Sequence, residues 1–163
     1  MVAVPENRNR GLRTDLLKLT KKADYGLIAM RHLAEHSAQG AFSAKDIADL
    51  YAIPSEALAK ILQTLARQKL LLSQQGTNGG YVLARDPRSI SALEVIRAIE
   101  GPVFMTACST DHRDCNTEDR CTIKEPLRKV SRSIEEVLDR LTIWELTEAP
   151  ERALAADLVT LRG

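Results

Sequence analysis

The residues best suited to do chemistry in this chain are three cysteines, Cys108, Cys115 and Cys121. They are the only cysteines among 163 residues, and they fall within one short stretch. Their spacing, Cys-x6-Cys-x5-Cys, places three thiolates on one segment, and thiolates are the ligands that hold iron–sulfur clusters. Zinc also binds thiolates, but structural zinc sites usually have four ligands and more closely spaced pairs. Here His112 is the local candidate for a fourth ligand. We therefore interpret the three cysteines as cluster ligands.

Two other interpretations of the cysteines stay open at this point. An odd number argues against a disulfide framework, but loop thiols can be reactive, so a reversible disulfide switch is one rival. The other is that the three residues are unrelated, although their clustering in an otherwise cysteine-free chain argues against this. All three lie in residues 101–122, where the absence of hydrophobic periodicity is typical of a loop.

The elements before this loop predict a helix-turn-helix. A polar, arginine-bearing extension occupies residues 1–18, and helical periodicity then runs from Thr20 to near Gly40. Ser43 followed by Asp46 is a helix-start pattern and predicts a short second helix. Pro54 suits the first position of a third helix over residues 54–68. A short helix, a tight turn and a further helix form a helix-turn-helix.

A β-hairpin is predicted directly after the third helix. The apolar run at residues 70–72 leads through polar residues to Gly76-Thr77-Asn78-Gly79-Gly80, a turn rich in residues that tolerate positive φ. Residues 81–84 form the returning strand. A hairpin in this position is where the wing of a winged helix-turn-helix lies. The pattern therefore predicts a surface that binds double-stranded DNA.

The exposed positions of the predicted recognition helix are the candidate base and phosphate contacts. The major groove is wide enough to admit a helix, Lys60 is a candidate for phosphate or guanine, and Gln63 is a candidate for an adenine edge. On the wing, Gln75, Asn78 and Gly79 are candidates for the DNA backbone or the minor groove. The candidates on the recognition helix are Ser55, Glu56, Ala59, Lys60 and Gln63.

A further helix at residues 91–100 precedes the cysteine loop, and a long helix follows Pro126. Apolar residues on the long helix alternate steps of three and four, which is typical of a coiled-coil seam. Packing within its own domain is the alternative, but a helix beyond the winged domain has little left to bury against, so we expect a symmetric homodimer. The seam consists of Leu127, Val130, Ile134, Val137 and Leu141. The pattern Thr142 to Glu145 then predicts a short final helix.

Bulk composition limits the class of protein. Residues 1–100 hold 14 Lys and Arg against 10 Asp and Glu, a net charge of +4, whereas residues 101–163 hold 9 against 12, a net charge of −3. The mildly basic first part fits a phosphate-binding surface. No apolar run approaches the roughly 20 residues that span a bilayer, and signal-peptide features are missing. We expect a cytoplasmic, non-enzymatic protein without membrane contact, in which His32 and His36 have partly exposed structural roles.

Three stretches resemble the Rrf2 family of bacterial regulators. LTKKADYGL at residues 19–27 resembles the start of the family, and GTNGGYVLAR at residues 76–85 resembles its wing. EGPVFMTACS at residues 100–109 is similar to regulators of the SUF iron–sulfur assembly system. The resemblance covers residues 19–146 and implies a homodimer with one cluster per subunit. Family members sense cluster supply, nitric oxide, iron or cysteine metabolism.

The resemblance also implies roles for particular residues. It assigns Cys108, Cys115 and Cys121 as cluster ligands, and Lys21 joins the DNA-binding set. In the NsrR-type, nitric-oxide-sensing members, an aspartate on the first helix of the partner subunit is the fourth ligand, and Asp24 stands there. The cluster-assembly regulators have a histidine three residues after the last cysteine, where this chain has Lys124. Many members have arginine where this chain has Gln75, so the family's minor-groove contact through arginine does not carry over to this position.

The expected fold is mainly α-helical with a small β-hairpin wing: a winged helix-turn-helix plus a long dimerisation helix. The expected divisions are an extension at 1–18, a DNA-binding domain at 19–100, a cluster loop at 101–122, a dimerisation helix and short final helix at 123–147, and a tail at 148–163. We expect a transcriptional repressor with a 2Fe–2S or 4Fe–4S cluster. The alternatives are a zinc- or disulfide-stabilised protein-interaction module and an electron-transfer iron–sulfur protein.

Overall fold

A computed structural model describes residues 19–102 and 122–148 of the chain. The extension at 1–18, all three cysteines and residues 149–163 lie outside the described residues. The elements in chain order are α1 (Lys21–Glu35), α2 (Ala44–Tyr51), α3 (Ser55–Arg67), β1 (Leu71–Gln74), β2 (Gly80–Leu83), α4 (Ala92–Glu100) and α5 (Lys124–Arg140). Short 3₁₀ turns cover Ser37–Gln39 and Pro87–Ser89. Within the described ranges, no helix has the length and apolar content needed to cross a membrane.

The helix starts follow the side-chain chemistry of the sequence. Thr20 caps α1 by accepting a hydrogen bond from the Ala23 N–H at 3.2 Å. Ser43 caps α2 through a reciprocal capping box with Asp46, as the sequence predicts. Ser91 caps α4 by accepting from the Glu94 N–H. Each cap satisfies a backbone donor that has no partner inside its own helix.

The turn between α2 and α3 differs by one residue from the prediction. Ala52 adopts a left-handed conformation with φ 53°, and the Ile53 N–H bonds to the Ala48 carbonyl, which closes the end of α2. Pro54 is the residue before the helix rather than its first residue, so α3 begins at Ser55. Its carbonyl still accepts the first helical hydrogen bond, from the Leu58 N–H at 3.0 Å. The helix-turn-helix is therefore present with a slightly shorter third helix.

The hairpin is also present, and a third segment joins it. Strands β1 and β2 pair antiparallel with Leu72 opposite Val82. Phe42, before α2, exchanges two backbone hydrogen bonds with Tyr81 on the other edge of β2, at 3.2 and 2.8 Å. A Cβ atom on Gly79 would lie 2.6 Å from the Gln74 carbonyl oxygen, so only glycine fits this part of the turn. The wing is thus anchored to the segment that leads into the helix-turn-helix.

One apolar core joins α1–α4 and the base of the hairpin. Its largest fully buried side chains come from every one of these elements except β2. Gly26 lets α1 and α4 approach closely, because a Cβ atom there would overlap the Ile99 side chain. The fully buried set is Met30, Ile47, Leu58, Leu62, Leu65, Leu70, Leu71, Ile90, Val95 and Ile143.

Helix α5 contains no buried residue. It begins two residues before Pro126, which is tolerated because the first turn of a helix does not need the missing N–H. Among the described residues, polar side-chain contacts join it to α4 and to the residue that caps α4: Arg97 pairs with Glu135 at 2.9 Å, and the Ser91 hydroxyl donates to Asp139 at 3.2 Å. Packing against the winged domain therefore covers only part of α5.

The predicted short final helix after α5 is wrong, because residues 143–147 form hydrogen-bonded turns. The expected capping interactions between Thr142 and Glu145 are nevertheless made, at 2.7 and 3.2 Å. The reason is that the Ile143 N–H bonds to the Ile90 carbonyl and the Ile143 side chain is fully buried in the core. Arg88 lies 4.0 Å over the ring of Trp144. Residues 141–144 therefore form backbone hydrogen bonds with residues 87–92 instead of forming the predicted short helix.

Candidate nucleic-acid interface and cysteine loop

Helix α3 has one apolar face inside the core and one polar face in solvent. The buried residues lie three or four positions apart on one face of the helix, as the periodicity predicts; they are Leu58, Ile61, Leu62 and Leu65. Among the predicted DNA contacts on this helix, Ser55, Glu56, Lys60 and Gln63 are exposed and Ala59 is half-buried. The structure therefore places these five residues together on one side of α3, next to solvent.

The predicted polar contacts on this face are free of partners among the described residues. Ser55, Glu56, Lys60 and Gln63 form no side-chain hydrogen bond or ion pair within residues 19–102 and 122–148. Elsewhere on the surface, charged residues do pair, as Arg31 does with Glu35 at 3.2 Å. Among the residues that the structure describes, no side-chain bond needs to break before this face contacts a ligand.

The start of α1 lies beside this face. Lys22, Lys60 and Thr64 line a groove of about 450 Å³ between α1, α3 and the end of α4, with Ile61 and Ile99 among its apolar residues. Lys21 and Lys22 are both exposed. The sequence analysis named Lys21 but not Lys22 or Thr64. Thr64 is one turn after Lys60 on α3, whereas Lys22 comes near Lys60 only because α1 packs against α3. Two helices thus contribute lysines to one side of the molecule.

The tip of the wing presents neutral groups. Gln75 and Asn78 are exposed, and Gly79 is half-buried with its N–H bonded to the Gly76 carbonyl at 3.0 Å. Residues 72–80 contain no charged side chain. Amide side chains can donate and accept hydrogen bonds, so this tip is suited to polar contacts rather than to neutralising phosphates.

A cluster of aromatic rings packs α1 against the end of α2. His32 is buried, its Nδ1 lies 3.2 Å from the Tyr51 hydroxyl oxygen, and its ring stacks on His36 at 4.3 Å and meets Phe42 edge-on at 4.7 Å. Burial lowers the pKa of His32, and the nearby His36 lowers it further, while Glu35 opposes these effects. This packing is structural, as expected for both histidines, but His32 is buried rather than partly exposed, because Phe42 and Tyr51 pack against its ring. The cluster links α1, the end of α2 and the segment that pairs with the wing.

The predicted cluster ligands Cys108, Cys115 and Cys121 lie outside the described residues. The start of their loop can be located: the Thr20 hydroxyl donates to the Glu100 carboxylate at 2.6 Å, which ties the end of α4 to the start of α1. Asp24 lies one turn further along α1 and is partly buried. Its carboxylate has no hydrogen bond or ion pair among the described residues. The loop thus begins beside the helix that carries an uncommitted carboxylate.

The predicted dimer seam is only partly covered within the chain. Val130 is 45% exposed and Val137 is 65% exposed, although both are apolar. A groove of about 430 Å³ runs along this side of α5 and is lined by Val130, Ile134 and Val137 together with Lys129, Ser133 and Leu138. Leu127 and Ile134 are half-buried. Leu141 follows the last turn of α5, and its carbonyl accepts from the Ala92 N–H at 2.7 Å, so it helps to join α5 to the winged domain.

Comparison with known sequences gives a consistent set of relatives. The pattern of the Rrf2 family, described as iron-dependent transcriptional regulators, matches residues 19–149. The transcriptional regulator IscR of Serratia proteamaculans is 30% identical over 141 residues, covering 86% of this chain and 85% of that protein. IscR of Sodalis glossinidius is 32% identical over 135 residues, covering 83% of this chain and 81% of that protein.

The solved structures that resemble this chain include regulators of the same kind. IscR of T. potens has a TM-score of 0.66 and 34% identity, covering 84% of this chain and 90% of that one. CymR (YrzC), the global cysteine regulator of B. subtilis, has a TM-score of 0.66 and 30% identity, covering 80% of this chain and 96% of that one. The mainly helical winged-helix fold is confirmed, and these relatives are regulators rather than enzymes. The chain therefore belongs to the Rrf2 family of transcriptional regulators.

Proposed function

We propose that this protein is a homodimeric, cytoplasmic repressor that binds operator DNA through α3 and the wing and responds to an iron–sulfur cluster. The observation that carries the proposal is the polar face of α3, on which Ser55, Glu56, Lys60 and Gln63 are exposed and have no side-chain partner among the described residues, opposite a buried apolar face. A rigid helix with free polar groups is the element that enters a major groove in winged and helix-turn-helix proteins.

Lysines on two elements support DNA as the partner. Lys22 and Lys60 line one groove, with Lys21 exposed next to them, so a phosphate backbone crossing the start of α1 and α3 would meet several positive charges. Such contacts release counterions and supply affinity that does not depend on sequence. The neutral wing tip, with Gln75, Asn78 and Gly79, would add hydrogen bonds without adding to the salt dependence.

The exposed valines of α5 support a homodimer. A helix without a buried residue, with Val130 and Val137 largely in solvent, leaves apolar surface that a second copy of the same helix would cover. A two-fold dimer presents two recognition helices to two half-sites of an operator. The seam of Leu127, Val130, Ile134 and Val137, with Leu141 at its end, is the proposed interface.

The donor set fits an iron–sulfur cluster. Three thiolates, from Cys108, Cys115 and Cys121, need one further ligand for a four-ligand site, and the uncommitted carboxylate of Asp24 is the candidate, contributed by the partner subunit. When bound, such a cluster supplies a metal centre that reacts with oxidants and nitric oxide. In the protein itself, Glu100 and Thr20 fix the start of the loop to α1, while Arg97 with Glu135 and Ser91 with Asp139 fix α5 to α4.

The proposed regulation is a shift between two arrangements of the dimer. The loop joins the winged domain to α5, so restraining it would alter how the two recognition helices are spaced. A coupling of about 1–3 kcal/mol between loop ligation and DNA binding changes the affinity about 5- to 150-fold. Cluster supply, redox state or nitric oxide would act through this coupling.

Anaerobic purification with iron and sulfide analysis tests the cluster. We expect visible absorption from a 2Fe–2S or 4Fe–4S cluster, and its loss in each of Cys108→Ala, Cys115→Ala and Cys121→Ala while the far-UV circular dichroism is unchanged. Full iron content in all three variants would rule out these ligands. Stoichiometric zinc without colour would instead favour the interaction module.

Asp24 is tested by two opposite substitutions. A carboxylate is a harder ligand than a thiolate, so Asp24→Ala should change the cluster spectrum and speed its loss in air, and Asp24→Cys should slow that loss. The dimer should stay intact in both variants. Wild-type spectra and decay rates in both would exclude Asp24, leaving His112, water or a small thiol as the fourth ligand.

Fluorescence anisotropy with a labelled operator tests DNA binding and separates the remaining rival. An electron-transfer protein needs no recognition helix, and membership in a family of transcriptional regulators argues against it. We expect specific binding of double-stranded DNA that differs between the cluster-bound and cluster-free protein. Absence of DNA binding in both forms would contradict the proposal.

A further inference from the structure

The acidic residue at the start of α3 is the most unusual feature of the candidate DNA-binding face. Glu56 lies in the first turn, is exposed, and has no hydrogen-bond or ion-pair partner among the described residues. The acids at the starts of α2 and α4 are committed: Asp46 bonds to Ser43 at 2.6 Å, and Glu94 pairs with Arg85. Glu56 is therefore a free carboxylate on a surface where a polyanion is expected.

A neighbouring lysine does not form an ion pair with this carboxylate. Lys60 is one turn further along the same face of α3, and both residues line the same groove, yet no ion pair joins them. Opposite charges four residues apart on a helix commonly pair. Here both remain available to other groups, one as an acceptor and one as a donor.

The chemistry of a carboxylate limits what it can contact in DNA. An ionised carboxylate only accepts hydrogen bonds, and it is repelled by phosphates, so it weakens sequence-independent binding. In the major groove the base-edge donors are the amino groups of cytosine and adenine, and cytosine N4 is the usual partner of Glu. Guanine and thymine present acceptors at the corresponding edge, which would face the carboxylate unfavourably.

We propose that Glu56 is a specificity-determining residue that selects cytosine at one position of each operator half-site. The inference rests on the proposed DNA-binding function and adds to it the base that is read. Glu56 accepts a hydrogen bond from the cytosine amino group. It disfavours guanine and thymine because their acceptor oxygens would face the carboxylate oxygens without a hydrogen between them. The carboxylate is repelled by phosphates and therefore weakens binding to all DNA. Only a site that places a cytosine amino group opposite Glu56 offsets this repulsion, so the protein discriminates between sequences.

Selection from a randomised DNA library followed by sequencing tests this proposal. Wild-type protein should enrich cytosine at one position per half-site, and replacing that base should weaken binding about 5- to 150-fold. Glu56→Ala should lose this preference and bind non-specific DNA more tightly. Glu56→Gln should shift the preference toward adenine, because an amide pairs with adenine N6 and N7. Glu136→Gln, which removes an exposed charge from α5, should leave the selected sequence unchanged.

The outcomes separate this inference from the function on which it rests. If Glu56 served only to stabilise the start of α3, both variants would melt at a lower temperature but select the wild-type operator. Unchanged selection in both variants would overturn the inference and leave the DNA-binding proposal standing. Failure of the wild-type protein to bind any DNA would overturn both.

Discussion

Helices α3 and α5 have similar lengths and both are amphipathic, but they are packed in opposite ways. In α3 the apolar face is sealed in the core, with Leu58, Leu62 and Leu65 fully buried, and its polar face is free. In α5 no residue is buried, Val137 is 65% exposed, and polar residues such as Glu135 and Asp139 are the ones that pair with the winged domain.

This difference shows what kind of partner each helix is prepared for. An apolar face that is already covered leaves α3 rigid, and its free hydrogen-bonding groups suit a polar, charged partner such as DNA. An apolar face that is uncovered leaves α5 with surface that is stabilised only when another apolar surface meets it. One chain thus presents two binding surfaces with different physical demands.

The largest expected effect tests the sealed face of α3. Leu62→Ala should lower the free energy of unfolding by about 2–5 kcal/mol, because the truncated side chain leaves a cavity in a close-packed core. Leu50→Ala on α2 is the matched control, since Leu50 is 63% exposed and its truncation should change stability by less than about 1 kcal/mol. Chemical denaturation followed by circular dichroism measures both. Equal decreases in stability would show that α3 does not have a sealed apolar face.

The next effect tests the uncovered face of α5. The double variant Val130→Glu and Val137→Glu should keep the fold of the winged domain but weaken self-association at least about 100-fold, because carboxylates would be buried without partners in the seam. Analytical ultracentrifugation measures the association. Arg132→Glu, an exposed position of the same helix outside the seam, is the control for added negative charge. A double variant that dimerises like the wild type would place the interface elsewhere.

A smaller effect tests the free polar face of α3. Lys60→Ala should weaken operator binding, and the slope of log affinity against log salt should become shallower by about 0.9 for each phosphate that the protein no longer neutralises. Arg132→Ala removes the same charge from an exposed position of α5 outside the seam and should leave the slope unchanged. Fluorescence anisotropy across a salt series provides the slopes. An unaltered slope and affinity in Lys60→Ala would remove Lys60 from the interface.

The smallest expected effect is a dependence of stability on pH that comes from His32 in the winged domain and not from α5. The pKa of His32 in the folded protein is lowered from its ordinary value of 6.5, chiefly by burial and then by His36, with Glu35 opposing. The unfolded chain therefore takes up a proton at His32 at a higher pH than the folded protein does. The free energy of unfolding should fall as the pH drops through 6.5 toward the folded pKa, and level off below it.

Two variants isolate the contribution of His32. His32→Phe removes the titrating group and should flatten the dependence of stability on pH, whereas Tyr51→Phe removes only the hydrogen bond to His32 and should keep it. Urea denaturation between about pH 7.5 and 5.5 provides the comparison. An equal slope in wild type and His32→Phe would assign the pH dependence to other groups.

Much of the fold follows from local patterns in the sequence. Ser43 and Asp46 predict the start of α2 because their mutual hydrogen bonds need only four consecutive residues. The alternation of apolar residues in α3 predicts its buried face for the same reason. The pattern at Thr142 and Glu145 predicts a helix that does not form, although its capping contacts do, because the backbone of Ile143 pairs with Ile90 instead.

The sequence predicts where the candidate DNA-binding face lies, but not which of its charged side chains pair with each other. Periodicity places Ser55, Glu56, Lys60 and Gln63 on the solvent side of α3, and the structure agrees. Whether Glu56 and Lys60 pair with each other cannot be read from their spacing, since residues four apart on a helix can pair or stay apart. The addition of Lys22 to this face depends on how α1 packs on α3, which involves residues far apart in sequence.

The sequence alone determined the capped helix starts, the helix-turn-helix with its wing, the clustering of Cys108, Cys115 and Cys121, and the apolar stripe of α5. These depend on neighbours within a few residues, so local hydrogen bonding and periodicity suffice. Only the tertiary structure decided that Phe42 pairs with the wing, that His32 is buried against Tyr51, and that Ile143 completes the core. Those contacts join residues distant in the chain, and burial of apolar surface across the whole domain selects them over the local alternatives.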